Sequence, residues 1–301
     1  MDGIIPLYKE LGMTSFDCVR RLRNLLKTKK IGHSGTLDPS VDGVLPICVG
    51  NATKVVPYLM ASGKVYQGEL LIGQATETED LDGAVIETAP VPKAISDSVI
   101  KDEMNRLTGQ VRQQPPMYSA VKIHGKRLYE YARAGEKVDR PVRTVQVDSF
   151  ELLRTRYDEH SKTQRVSFRV SCGKGTYIRT LVVTLARQLG FPGTMSSLTR
   201  IKSGGFTLED TLSLTDVQDA LANQTFAKLI YPLDVVFDGL QHITLTTNQW
   251  HYLQHGSWFK QSELATSAAT VALVYNGEVK AIYHLDADGK NYKPQTMLRL
   301  N

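Results

Sequence analysis

The sequence predicts an α+β protein of about two domains, on three observations. Strand-like stretches are separated by helical stretches of unequal length and by irregular links, which disfavours a doubly wound sheet. At 301 residues the chain exceeds one small module. After about Asp238 the texture changes to short strands and turn signals, so residues 239–301 read as a small β-rich unit following a larger one over 1–238.

Residues 3–8 read as a short strand. Thr14 or Ser15 caps a helix whose apolar Phe16, Val19, Leu22 and Leu26 recur at helical spacing, with Arg20, Arg21, Arg23 and Lys27 opposite. Gly43–Val49 reads as a buried strand interrupted by Pro46, Ala52–Leu59 as a short helix, and Tyr66–Ile72 as a strand. Ile100, Met104 and Leu107 mark another helix. A short strand, a helix around Leu128 and Tyr131 stopped by Gly135, and a basic strand-rich stretch follow. In Arg165–Cys172, Val166, Phe168, Val170 and Cys172 alternate with polar residues, the period of a half-buried strand. A Gly-Lys-Gly turn leads into a helix over about Thr176–Gln188. In the tail, His242–Thr246, Thr270–Tyr275 and Val279–Leu285 read as strands, and Asn276-Gly277 is a type I′ hairpin signal.

Hydrophobic residues make up 42% and charged residues 22%, which excludes a disordered chain. No apolar run approaches the ~18 residues of a membrane span, and the first residues lack the pattern of a secretory signal. Cys18, Cys48 and Cys172 are odd in number and scattered, which points to a reducing cytoplasm rather than disulfides or a zinc site. The net charge of +5 is uneven: −2 over residues 1–100, +10 over 101–200 and −3 over 201–301. The basic middle third suits a face that neutralises phosphates, and equally an ordinary solvated surface.

Three stretches have the composition of a site. In Gly32–Pro46, Pro39 pushes Asp38 out of the helical region, leaving a carboxylate on a tight loop before a buried strand. Asp38 could instead close an Asx turn. Ser171–Thr180 places small residues at a strand-to-helix junction, either an anion cradle or a plain turn, with Tyr177 and Arg179 at the start of the helix. Tyr66 opens a strand, where it packs in the core or stacks on a base. Three other motifs fail. Gly32–Thr36 falls one glycine short of a nucleophile elbow, Phe168 stands where a P-loop before Gly173 needs glycine, and the acidic run at Glu77–Gly83 lacks calcium-loop ligands.

Read in chain order, six segments resemble one family. They are Gly32-His33-Ser-Gly-Thr-Leu-Asp38-Pro with Gly43-Val-Leu-Pro, Lys64-Val-Tyr66, Thr76-Glu-Thr-Glu-Asp80 with Gly83, Pro115–Lys122, Gly173–Arg179 and Ser197–Arg200. Together they resemble the bacterial tRNA pseudouridine-55 synthases over residues 1 to about 235. The resemblance implies a mixed, mainly antiparallel central sheet flanked by helices, the pseudouridine synthase fold. It also implies a basic RNA-gripping insertion at about 120–150 and a PUA-like RNA-binding domain over 239–301.

The activity implied is isomerisation of a T-loop uridine in tRNA, without cofactor or metal, by a chain acting as a monomer. On this resemblance Asp38 is the nucleophile, Arg179 pairs with it and keeps it ionised, and Tyr66 stacks on the base and serves in proton transfer. Tyr177 and Leu198 line the base pocket, His33 holds the rearrangement that frees the base, and Asp80 supports the polar network. Lys122 belongs to the RNA-gripping surface. Lys9, followed here by Glu10 where the family usually has proline, is left available to substrate. A non-catalytic RNA-binding protein, a nucleotide-dependent transferase on the Gly173 loop and a synthase acting on another uridine are the rival readings.

Overall fold

The computed structural model describes residues 2–299. Its centre is a nine-stranded sheet whose main path runs Gly3–Lys9, Asp42–Val49, Gly193–Ser203, Lys64–Ile72, Thr163–Cys172, Arg143–Asp158, Gly109–Gln113. Ile31–His33 adds to Asp42–Val49, and Phe206–Thr207 to Gly193–Ser203. Among the described residues, one neighbouring pair in this sheet is parallel: Thr199 lies opposite Asp42 and Arg200 opposite Gly43. The sheet is therefore mainly antiparallel, as an α+β fold requires.

Alternation sorts the strands onto two faces. Val166, Phe168 and Val170 are fully buried on one face with Leu45, Ile47, Leu70 and Ile72. Four helices cover that face: Ser15–Leu26, Asp97–Arg106, Ile178–Gln188 and Leu214–Ala222. The intervening residues Val44 and Cys48 are equally buried on the other face, so Asp42–Val49 is apolar on both sides. Thr14 caps the first helix as expected, its hydroxyl accepting from the Asp17 N–H. Phe16 is a correction: it is 61% exposed, because Ser15, Cys18, Val19 and Leu22 form the buried face and residue 16 lies about 100° off it.

Periodicity does not show Gly193–Ser203, Gly109–Gln113 or the helix Leu214–Ala222. Between Gly109–Gln113 and Arg143–Asp158, which pair with each other, the chain leaves the sheet. It forms the small ladder Lys122–Ile123 with Lys126–Arg127, and the helix Leu128–Arg133. Arg127 and Arg133 sit 5.8 and 5.4 Å from the Tyr129 ring centre, and Lys126 4.6 Å from that of Tyr131.

The tail folds into a second sheet of five strands, ordered Gln241–Thr244, Thr270–Tyr275, Glu278–Leu285, Asn291–Met297, Phe259–Lys260. Asn276 and Gly277 both have positive φ, 52° and 75°, in the two-residue loop between Tyr275 and Glu278. Two helices, Thr247–Gln254 and Gln261–Leu264, interrupt the strands that the sequence shows. Ala272, Val279, Ile282 and Leu298 of the tail pack in one buried cluster with Val44, Cys48, Val55 and Leu59, so the two sheets share apolar core. No helix among the described residues is long and apolar enough to cross a membrane.

Candidate active site

The loop carrying Asp38 is fixed from several directions. Its turn is closed by the Asp38 carbonyl, which accepts from the Val41 N–H at 3.1 Å. Ser15 Oγ accepts from the Leu37 N–H at 2.8 Å, which ties the loop to the first helix. Lys9 is fully buried, and its ammonium donates to the carbonyls of Glu10, Pro39 and Val41, the last at 2.6 Å. This corrects the expectation for Lys9, which is not available to a substrate because the loop it braces consumes its donors. Burial lowers its pKa, with Cys18, Asp42 and Asp38 opposing.

The Asp38 carboxylate turns out of its loop towards Arg179 rather than into an Asx turn, with Arg179 Nη2 to Asp38 Oδ2 at 2.9 Å. Arg179, in the first turn of Ile178–Gln188, is itself buried and held on both arms. Nη1 donates to the Thr78 carbonyl at 2.8 Å and Nη2 to that of Tyr118 at 2.9 Å, while Asp80 Oδ2 lies 3.4 Å from Nη1. Asp80 is anchored in turn, since its Oδ1 accepts from the Thr78 hydroxyl at 2.5 Å and from the Asp82 N–H at 3.1 Å. The guanidinium is thus shared between a rigid carboxylate behind it and a half-exposed one in front. Burial raises the pKa of Asp38, Arg179 and Lys9 pull it down, and Asp80 and Asp82 push it further up. Arg179 therefore limits the rise that burial imposes on Asp38.

A cavity of about 310 Å³ opens beside this pair, lined by Asp38, Tyr66, Tyr177, Arg179, Leu198 and Arg200 among others. Tyr66 and Arg200 are directly opposite across the ladder of Lys64–Ile72 and Gly193–Ser203. Leu198 reaches the cavity because Gly68 stands opposite it: a Cβ there would lie 2.8 Å from Leu198 Cδ1 and 2.5 Å from the Ser197 carbonyl. Tyr177 caps the Ile178–Gln188 helix, its N–H donating to Gln113 Oε1 at 3.1 Å. Burial is the first cause of the raised pKa of both Tyr66 and Tyr177.

Other sequence candidates lie outside the cavity wall. His33 is half-buried behind the loop, its Nδ1 accepting from the Gly35 N–H at 3.3 Å, and burial and Arg200 lower its pKa. That favours the neutral imidazole. Lys122 is exposed on the insertion. Sequence reasoning missed Arg200 as a site residue although it ends one of the quoted segments. It also missed Lys64, buried in the wall with Nζ donating to the carbonyls of Met60 and Ser62. Cations are ordinarily assigned to surfaces, and the signal for burial is the pairing with Gly43 and Tyr66, which one sequence does not display.

A mainly antiparallel sheet thus presents an aspartate–arginine pair beside a cavity lined by two tyrosines. Residues 23–178 match the family described as TruB family pseudouridylate synthase (N terminal domain), and residues 179–238 the tRNA pseudouridylate synthase B C-terminal domain. The chain belongs to this TruB pseudouridylate synthase family. It is 62% identical to tRNA pseudouridine synthase B of Limosilactobacillus reuteri (strain DSM 20016) over the whole of both chains. It is 51% identical to the protein of that name from Levilactobacillus brevis, again over the whole of both. Among solved structures, a Cbf5–Nop10–Gar1 complex contains a chain that matches with TM-score 0.74 and 26% identity, over 99% of this chain and 85% of that one.

Proposed function

We propose that this protein converts one T-loop uridine of tRNA, U55, into pseudouridine, with Asp38 as nucleophile. The observation that carries the reading is the 2.9 Å Asp38–Arg179 pair on the wall of a cavity that also holds Tyr66 and Leu198. The reaction breaks the C1′–N1 bond, forms C1′–C5, and moves one proton from C5 to N1, so it needs neither oxidant nor reductant. A covalent carboxylate intermediate divides the exchange into steps during which the base can turn.

The uridine is stacked inside the folded T loop and must be flipped out before Asp38 can reach it, at a cost of a few kcal/mol. Stacking on Tyr66, worth about 1–3 kcal/mol per base, offsets that cost, and Leu198 and Tyr177 enclose the base. Asp80 keeps Arg179 aimed while Asp38 reacts. Lys122, Lys126, Arg127 and Arg133 grip the T arm through its phosphates. Residues 1–238 form the catalytic domain and 239–301 a PUA-like unit that extends the RNA contact. One chain supplies every group named here, so the protein acts as a monomer, in the cytoplasm where its three free cysteines stay reduced.

Incubation with an unmodified tRNA transcript, followed by mapping of pseudouridine, tests the reading. The native protein is expected to modify position 55 alone, and Asp38→Asn to modify nothing while retaining tRNA affinity. Full turnover by Asp38→Asn, or modification elsewhere, would refute it.

A further inference from the structure

Arg200 is a cation in the core with no acid beside it. It is 1% exposed, and among the described residues no carboxylate forms an ion pair with it. Its Nε donates to the Val44 carbonyl at 2.7 Å and its Nη2 to that of Gly35 at 3.1 Å. These bonds fix the guanidinium without neutralising it. Isolating a charge in a protein interior is expensive, and backbone carbonyls recover only part of the loss. Lys64, also buried on this side of the cavity, adds like charge instead of relieving it. Directly across the ladder from Arg200 stands Tyr66, and both side chains line the same cavity.

We infer that Arg200 is the positioning residue of Tyr66, holding the phenol oxygen at the base and stabilising the phenolate that forms there during isomerisation. This rests on the reading of Tyr66 as a proton-transfer group. The protons balance as follows. When C1′–N1 breaks, N1 takes the phenolic proton, leaving a Tyr66 phenolate against the Arg200 guanidinium. Once C5–C1′ has formed, that phenolate takes the proton from C5 and the phenol is restored. Burial keeps the phenol protonated at rest, which the first transfer needs. Of the charged or titratable groups that face the ring, Arg200 favours the phenolate, while Cys172 and Asp38 oppose it. A fixed cation that meets charge only as it develops acts on the transition state rather than on binding.

The test is a double-mutant cycle in single-turnover kinetics with tRNA transcript, in which Arg200→Met and Arg200→Lys are each made alone and with Tyr66→Phe. Arg200→Met is expected to slow the native protein at least about tenfold and the Tyr66→Phe protein less than about twofold, with Arg200→Lys intermediate. In Arg200→Met, transcript deuterated at uracil C5 should show a smaller isotope effect than in the native protein, since the unstabilised phenolate is the stronger base and the first transfer, to N1, becomes the slower one. If Tyr66→Phe turns over at the native rate, the reading of Tyr66 fails. If Tyr66→Phe is slow but Arg200→Met costs the same factor in both backgrounds, Tyr66 keeps its role and the inference about Arg200 is overturned. Should Arg200→Met not fold, Arg200→Lys keeps a cation in place and decides by the same comparison.

Discussion

At the scale of single residues, the site is governed by unequal carboxylates around one guanidinium. Asp80 is buried and accepts from the Thr78 hydroxyl and the Asp82 N–H, whereas Asp38 is 41% exposed at its side chain and free to meet a substrate. As the proposed nucleophile, Asp38 must be ionised, and its pKa lies above the ordinary 3.8 because burial and the neighbouring Asp80 and Asp82 outweigh Arg179. Activity is therefore lost as pH falls through a value higher than that of a free aspartate. A pH profile of the single-turnover rate should place this acid limb above the usual aspartate range, and a limb below it would contradict the electrostatics described here. Asp82 is exposed and raises Asp38 through space, so Asp82→Asn should move the limb to lower pH. The shift should shrink at high salt, as expected of a surface charge.

At the scale of elements, backbones approach closely where Gly193–Ser203 runs parallel to Asp42–Val49. Gly43 has φ +108°, and a Cβ on it would lie 2.3 Å from the Arg200 carbonyl. Gly43→Ala is expected to lower unfolding free energy in urea by about 1–3 kcal/mol and to slow turnover, because the same backbone carries Arg200. Gly277→Ala, whose Cβ would meet nothing within 4 Å at φ +75°, should cost only about 1–2 kcal/mol and leave turnover unchanged. Equal effects on turnover would deny the crowding its importance.

The same region shows what the sequence could and could not reveal. Thr163–Cys172 was legible because its buried residues alternate without interruption, and the Asn276-Gly277 hairpin because both residues tolerate positive φ. Gly193–Ser203 was not, since register shifts between Met195 and Ser197 and between Arg200 and Lys202 break the period of two twice. Asp38, Tyr66, Tyr177, Arg179 and Leu198, named from ordered motifs, do meet at one cavity. The burial of Lys9 was hidden because its carbonyl partners at Pro39 and Val41 lie 30 and 32 residues away.

At the scale of the whole molecule, the tail is built into the fold rather than tethered to it. Ile282 and Val279 share a buried cluster with Val44, Cys48, Val55 and Phe237, all fully or almost fully covered. Polar contacts reinforce the seam: Lys54 Nζ donates to the Met297 carbonyl at 2.7 Å, Tyr58 bonds Thr296 at 2.7 Å, and Asp234 accepts from the Val279 N–H at 2.6 Å. Val44 and Cys48 lie on the strand that follows the Asp38 loop, so the tail buttresses the scaffold of the site from its far side. A tail held this way melts with the sheet it covers. Ile282→Ala, which empties the shared cluster from the tail side, should destabilise the protein by about 2–5 kcal/mol. Calorimetry should show one transition moved to lower temperature as a whole, with turnover at low temperature preserved, because Ile282 packs in the shared cluster and does not line the cavity beside Asp38. If a second, tail-only transition separated and the main one stayed in place, the seam would be a contact between independent units and the apolar cluster would not couple them.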